Sequence, residues 1–227
     1  MATATESIGG STAGAAAEAR HMVDADAPSG GWRERVVAFA RERLEHVSWG
    51  TAHARRGYET TLRLAAEEGV AVDEEVIFAA AYLHDLGAFV PYAAEGVDHA
   101  ERSARLIDGV LAGLGFPTEK SAHVRKVVRG HMFYARPGPS PESVLFRDAD
   151  TLDFLGAIGI ARILALTGNH RWAPDLRGAM ATLRRHAAEL PPTLVTDAAK
   201  RIAATRIAEM DAFLRAFDDQ TLGSSAV

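Results

Sequence analysis

An adjacent histidine and aspartate close an alanine-rich apolar segment in the first half of the chain. His84 and Asp85 follow residues 79–83, and Gly87 comes two positions later. Imidazole and carboxylate both bind borderline divalent cations, and the second carboxylate oxygen can bridge to another ion. The pair therefore indicates metal chemistry, with Gly87 as a helix stop behind the ligands. Because the dipeptide is common, its meaning depends on ligands elsewhere.

Two histidines are predicted to lie on apolar helical faces. His84 follows Ile77 and Ala80 at the helical offsets of seven and four residues, and His131 follows Val124 and Val127 in the same way. A buried imidazole needs a partner for each nitrogen, and a metal is one such partner. A single inward histidine is more often a hydrogen-bonded core residue, so joint occurrence of ligands has to decide.

An acidic segment lies further along the chain. Asp148, Asp150 and Asp153 fall within six residues, and Ala149 and Leu152 mark a buried side nearby. A buried carboxylate requires a compensating cation. The alternative is a solvated helix face with a cap, which would need no metal.

Composition limits the class of protein. The chain has 227 residues, of which 48% are hydrophobic and 24% charged, which suits one domain with one sizeable core. The net charge of −5 argues against an extended nucleic-acid surface. The absence of cysteine excludes disulfides and thiolate sites, so His and carboxylate ligands would favour Mn, Fe, Mg, Co, Ni or Zn. We see neither a secretory signal nor an apolar run near the roughly 20 residues that span a bilayer, and predict a cytoplasmic protein without membrane contact.

The elements that must position these residues are predicted to be helices. Apolar residues recur at helical spacing and no convincing alternating run predicts a strand, so we expect an all-α bundle of about eight to nine helices. Residues 1–29 are predicted to be a disordered tail, 30–220 a single domain, and 221–227 a flexible tail. Two amphipathic helices near 174–190 and 193–217 would complete the core or form the face of a homodimer.

The order His53, His84-Asp85, Asp150 in an all-helical chain resembles the HD-domain superfamily of metal-dependent phosphohydrolases. Residues 79–87 resemble that family's apolar helix ending in His-Asp. Residues 148–162 resemble the acidic segment of a largely uncharacterised bacterial subgroup. The resemblance covers residues 30–217 and implies a single HD-domain bundle.

The resemblance also implies a ligand set. His53, His84, Asp85 and Asp150 would surround one divalent cation, with His53 preferred to His46 because residues 49–56 resemble the family's His-x-x-Arg start. Two further histidines fall where two-metal members carry ligands: His99 and His131, with His123 as the alternative to His131. If both bind, Asp85 bridges two ions; if neither binds, the site holds one ion and they contact substrate or solvent.

The implied reaction is hydrolysis of a phosphate ester, of a nucleotide or small phosphorylated metabolite, by a metal-activated water. Asp85, Arg56 and His99 are predicted to be catalytic. Arg56, Arg147 and His131 are predicted to bind substrate, since Arg suits bidentate contact with phosphate. Either Asp148 or Asp153 would orient a ligand histidine.

One departure from the family concerns the residues after His-Asp. Many members continue with Ile-Gly-Lys or an acidic residue, whereas residues 86–89 here are Leu-Gly-Ala-Phe. A general acid or phosphate contact from that position is missing, and His99, Arg56 or a metal-bound water would have to replace it.

Two other functions stay open from the sequence. Some similar proteins hold two irons and oxidise a C–H bond with O₂, and the same ligands would serve. A non-catalytic domain that senses a nucleotide or a metal is the third possibility. The loops 88–98 and 132–141 carry aromatic residues that would either stack on a base or anchor the loops on the core.

Overall fold

The computed structural model describes residues 30–168 and 173–221, and this part of the chain contains nine α-helices and no strand. The predicted all-α fold is confirmed. The predicted tails, residues 1–29 and most of 221–227, lie outside the described residues. The helices are α1 (Trp32–Arg43), α2 (Thr51–Glu68), α3 (Glu74–Leu83), α4 (His99–Gly113), α5 (Thr118–Arg129), α6 (Pro141–Leu152), α7 (Gly156–Ala165), α8 (Leu176–Glu189) and α9 (Asp197–Gln220), with short 3-10 helices at Leu86–Ala88 and Pro191–Thr193.

Polar side chains fix where several helices begin. Asp73 and Asp98 cap α3 and α4 by accepting hydrogen bonds from two backbone N–H groups each. Ser140 and Thr196 cap α6 and α9 by accepting one backbone hydrogen bond each. Such caps contribute about 1 kcal/mol each. The cap at Asp98 makes His99 the first residue of α4, which fixes the direction from which its side chain approaches the site.

The core consists of two clusters of buried side chains. The first surrounds α3, which is buried along most of its length because Ala79, Ala80 and Ala81 allow neighbouring helices to approach closely. The second joins α6 and α7 to α8 and α9, where Met180 and Met210 are buried. The two C-terminal helices therefore complete the core, and homodimer formation stays a prediction. Within the described residues, no helix is both long enough and apolar enough to cross a membrane.

Two helix ends differ from the prediction in a way that matters for the site. Helix α3 ends at Leu83 and α5 ends at Arg129, so His84 and His131 lie just beyond the helices. Gly87 is not the helix stop, because it lies inside the 3-10 helix that follows. A Cβ atom at Gly87 would meet the carbonyl oxygen of His99 at 2.5 Å and the amide of Ser103 at 2.8 Å. Its lack of a side chain lets this segment lie against the start of α4.

Candidate metal centre

Two of the predicted ligands are oriented by the helix ends that they follow. The last carbonyls of a helix lack partners within it. The Nδ1 of His84 donates to the carbonyl of Ala81 at 2.9 Å, and the Nδ1 of His131 donates to that of Val128 at 2.6 Å. We assign the proton to Nδ1 in both rings, so each Nε2 presents a lone pair.

His53, in the first turn of α2, is oriented by Asp153. Its Nδ1 donates to Asp153 Oδ2 at 2.6 Å, so its Nε2 also presents a lone pair. The same carboxylate accepts two hydrogen bonds from Arg56, both at 2.8 Å, and one from Arg162 at 2.9 Å. Asp148, the alternative orienting residue, instead accepts hydrogen bonds from the backbone at Val195 and Thr196.

The three lone pairs point toward the carboxylates of Asp150 and Asp85. His53 Nε2 lies 3.1 Å from His84 Nε2 and 3.3 Å from Asp150 Oδ1, and His84 Nε2 lies 3.2 Å from Asp85 Oδ2. Two unprotonated imidazole nitrogens at this separation cannot satisfy each other, whereas a cation between them satisfies both. His131 Nε2 is fully buried and has no hydrogen-bond partner among the described residues.

The carboxylate of Asp85 lies between two sets of ligand atoms. Its Oδ2 faces His53 at 3.8 Å and His84 at 3.2 Å, while its Oδ1 faces His99 at 3.5 Å and His131 at 3.7 Å. Among the described residues, two groups are compact enough to hold a metal ion: His53, His84 and Asp150, and His84, Asp85 and His131. The donor set therefore fits a divalent cation.

The protonation equilibria of the site also indicate a need for positive charge. Burial raises the pKa of Asp85, but the nearby imidazoles of His84 and His131 lower it by a larger amount. The net pKa of Asp85 is therefore well below its usual range. Burial lowers the pKa of His84, and the charge of Asp85 raises it above its ordinary value. Without a metal, imidazolium ions must balance these carboxylates, and a bound cation would take over that charge.

The structure brings all six predicted metal ligands together, but neither of the predicted substrate-binding arginines. The guanidinium of Arg147 is buried and donates to the backbone carbonyls of Ala135, Thr193 and Phe133. Arg56 donates two hydrogen bonds to Asp153, the carboxylate that orients His53. His123, the alternative to His131, contacts Ser140 and Glu142 instead.

A cavity of about 610 Å³ opens onto the candidate metal centre. His53, Asp85, His99 and Asp150 form its polar floor. Its other lining residues come partly from the loops 88–98 and 132–141 and are mostly apolar: Trp49, Ala88, Val97, Met132, Phe154, Ile163 and Leu166, with Ser48, Asp98, Tyr134 and Arg162 supplying polar atoms. Sequence reasoning gave Arg162 no role, although its place in the 148–162 segment offered a signal.

Fold and site define an all-helical protein with a buried His/Asp group that could hold a metal. The family model described as HD domain matches residues 51–155, which contain all six predicted ligands and end just after Asp153. The HD domain is an all-α fold that binds divalent metals. The match over residues 51–155 therefore supports membership of the HD-domain superfamily.

Solved structures with this fold are similar to the chain over most of its length. A predicted HD superfamily hydrolase from an uncultured Thermotogales bacterium is 26% identical, covers 82% of this chain and 88% of its own, and has a TM-score of 0.55. An HD-superfamily hydrolase from Bacillus thuringiensis is 25% identical, with 85% and 97% covered and a TM-score of 0.59. YpgQ of Bacillus subtilis, in complex with ADP, is 21% identical, with 83% and 97% covered and a TM-score of 0.63. A comparison with curated proteins gave no match.

Proposed function

We propose that this protein is a metal-dependent phosphohydrolase that cleaves a phosphate ester of a nucleotide or small phosphorylated metabolite. The observation that carries the proposal is the bridging position of Asp85, whose two oxygens face different histidines. The similarity to two HD superfamily hydrolases supports it. We also propose that the protein is cytoplasmic.

The six ligands would hold two divalent cations. His53, His84 and Asp150 would hold the first, His99 and His131 the second, and Asp85 would contact both. When bound, such ions acidify water and neutralise charge on phosphate oxygens. We assign His99 to metal holding rather than proton transfer, because its Nε2 faces Asp85. Asp153 keeps the proton of His53 on Nδ1, so that Nε2 stays available as a ligand atom.

The cavity supports an organic substrate larger than phosphate. Its volume of about 610 Å³ lies in the range of small-molecule pockets. The apolar side chains of Trp49, Met132, Ile163 and Leu166 would contact the organic part of the ester. The ADP bound to Bacillus subtilis YpgQ supports a nucleotide as one substrate class.

The test combines metal content with phosphate release. We expect about two equivalents of metal per wild-type chain, a loss of metal in Asp85→Ala, and metal retention in Asp108→Ala, whose carboxylate pairs with Arg125 outside the site. Phosphate release from a panel of phosphate esters should follow the metal content.

Three outcomes would overturn the proposal. A wild-type protein that binds no metal after addition of Mn or Ni and desalting removes its basis. A fully loaded protein without turnover on the panel would favour the sensor function. Two irons with substrate-dependent O₂ consumption would favour the oxygenase.

A further inference from the structure

We propose that Arg162 binds an anionic oxygen of the substrate, at the wall of the cavity next to the candidate metal centre. The inference rests on the proposed function for the identity of the anion, a phosphate group. It concerns a residue for which the sequence suggested no role, and it replaces Arg56 and Arg147 as the source of the contact.

The guanidinium of Arg162 is held rigidly. Its Nε donates to the carbonyl of Ser48 at 2.7 Å, and its Nη1 donates to Asp153, at 2.9 Å to Oδ2 and 3.1 Å to the backbone oxygen. Its central carbon lies 4.6 Å from the centroid of the Phe154 ring. The side chain is only 8% exposed. A ligand that binds it would therefore not have to order a flexible side chain.

One nitrogen of this guanidinium remains available to a ligand. Nε and Nη1 carry the hydrogen bonds above, whereas Nη2 donates to no described residue. Arg162 lines the cavity together with His53, Asp85 and Asp150. Nη2 is not among the fully buried polar atoms that lack a partner, so it is open to the cavity and can donate to a ligand there.

The charge balance favours an anionic acceptor. Asp153 is shared between the guanidinium groups of Arg162 and Arg56, so two permanent cations face one carboxylate. The carboxylates of Asp85 and Asp150 face the histidine ligands instead. A phosphate oxygen would balance the remaining charge through a charge-assisted hydrogen bond, for which a buried guanidinium is well suited.

The competing interpretation makes Arg162 a clamp that only holds Asp153 and the Ser48 segment. The chain offers a matched control for it. Arg56 also donates two hydrogen bonds to Asp153, but it does not line the cavity. A clamp predicts similar consequences for both arginines, whereas an anion contact predicts consequences for Arg162 alone.

The experiment measures the affinity of inorganic phosphate by calorimetry on the metal-loaded protein, with metal content determined separately. We expect Arg162→Gln to weaken phosphate binding on the order of 10-fold to 100-fold with metal content unchanged. Arg56→Gln should alter it by no more than about threefold. Arg162→Lys, which keeps the charge, should lie between wild type and Arg162→Gln. Guanidinium ion should restore part of the affinity in Arg162→Ala.

The outcomes separate this inference from the proposed function. Equal effects of Arg162→Gln and Arg56→Gln, or a loss of metal without rescue by lysine or guanidinium, would overturn the anion contact. A wild-type protein that does not bind phosphate would overturn it as well. Phosphate binding that depends on Arg162 in a protein without turnover would support the contact and overturn the phosphohydrolase.

Discussion

The four histidines around Asp85 are not held equally. His53, His84 and His131 each place Nδ1 within 2.9 Å of an oxygen acceptor, which fixes the ring and the tautomer. The carboxylate nearest to the Nδ1 atom of His99 is that of Asp98, whose Oδ2 lies 3.9 Å away. The His99 side chain is 24% exposed. Asp98 Oδ2 already accepts a hydrogen bond from Tyr134. We therefore expect His99 to be the most easily displaced ligand of the set.

Asp153 should matter for metal affinity although it does not face the metal position. We expect Asp153→Asn to weaken binding of Mn or Zn on the order of 10-fold to 100-fold, because the acceptor that fixes His53 loses its charge. Competition with a fluorescent chelator would measure it. Glu59→Gln is the control, since that carboxylate pairs with Arg55 at 2.7 Å on the exposed face of the same helix as His53. Wild-type affinity in Asp153→Asn would contradict the role.

The sequence was most informative about residue types that need a polar or charged partner when they are buried. His84 and His131 could be selected because an imidazole inside an apolar pattern requires a partner, whereas His53 and Asp150 were selected by the resemblance to the HD-domain superfamily. The arginines could not be placed in this way. A guanidinium is long enough to reach backbone carbonyls, as Arg147 does, or a carboxylate 97 positions away, as Arg56 does. Only the folded chain reveals which of these acceptors it finds.

At the level of elements, the contact between the 3-10 helix and α4 determines whether the Asp85 and His99 side chains meet. We expect Gly87→Ala to lower the free energy of unfolding by on the order of 2 kcal/mol, because its Cβ would lie 2.5 Å from a backbone oxygen. Urea denaturation would measure the change.

Gly57 provides the matched control for this substitution. It lies within α2, and a Cβ atom there would meet only Phe146, at an ordinary 3.5 Å. Gly57→Ala should therefore gain on the order of 0.5 to 1 kcal/mol from helix propensity. If Gly87→Ala were equally stabilising, the close contact with α4 would not constrain this segment.

Helix positions followed from periodicity and caps, but two helix ends did not. The apolar spacing of Val124, Val127 and Val128 extends to His131, and this periodicity predicted one continuous helix up to His131. In the structure Gly130 ends the helix, and His131 turns back onto the Val128 carbonyl. A hydrogen bond from the His131 side chain to a carbonyl of the last turn competes with one more helical residue, and sequence periodicity does not contain that competition.

At the level of the whole molecule, the C-terminal helices pack behind the cavity wall. His186 on α8 is buried, and its ring contacts Phe133 and Phe154, with centroids 6.2 Å and 5.4 Å away. Phe154 lines the cavity, and so do Met132 and Tyr134, which flank Phe133 in the chain. His186 therefore lies where the second core cluster supports the site.

This position should make the stability of the whole chain depend on pH. Burial, with the charges of Arg185 and Arg162, lowers the pKa of His186 from 6.5 to about 4. Between these values the unfolded chain binds the proton and the folded chain does not. The free energy of unfolding should therefore fall as pH decreases from 6.5 toward 4, by about 3 kcal/mol from this residue.

The comparison of wild type with His186→Leu isolates this contribution, because all other titrating groups are common to both proteins. We expect urea denaturation of the metal-free proteins to give a difference in unfolding free energy that shifts in favour of the variant as pH falls from 6.5 to 4. Well above pH 6.5 the difference should become constant, since His186 is then neutral in both the folded and the unfolded chain. A difference that does not vary across the range would mean that His186 accepts a proton as readily when folded as when unfolded. The packing of α8 against Phe133 and Phe154 would then not exclude water as the structure implies.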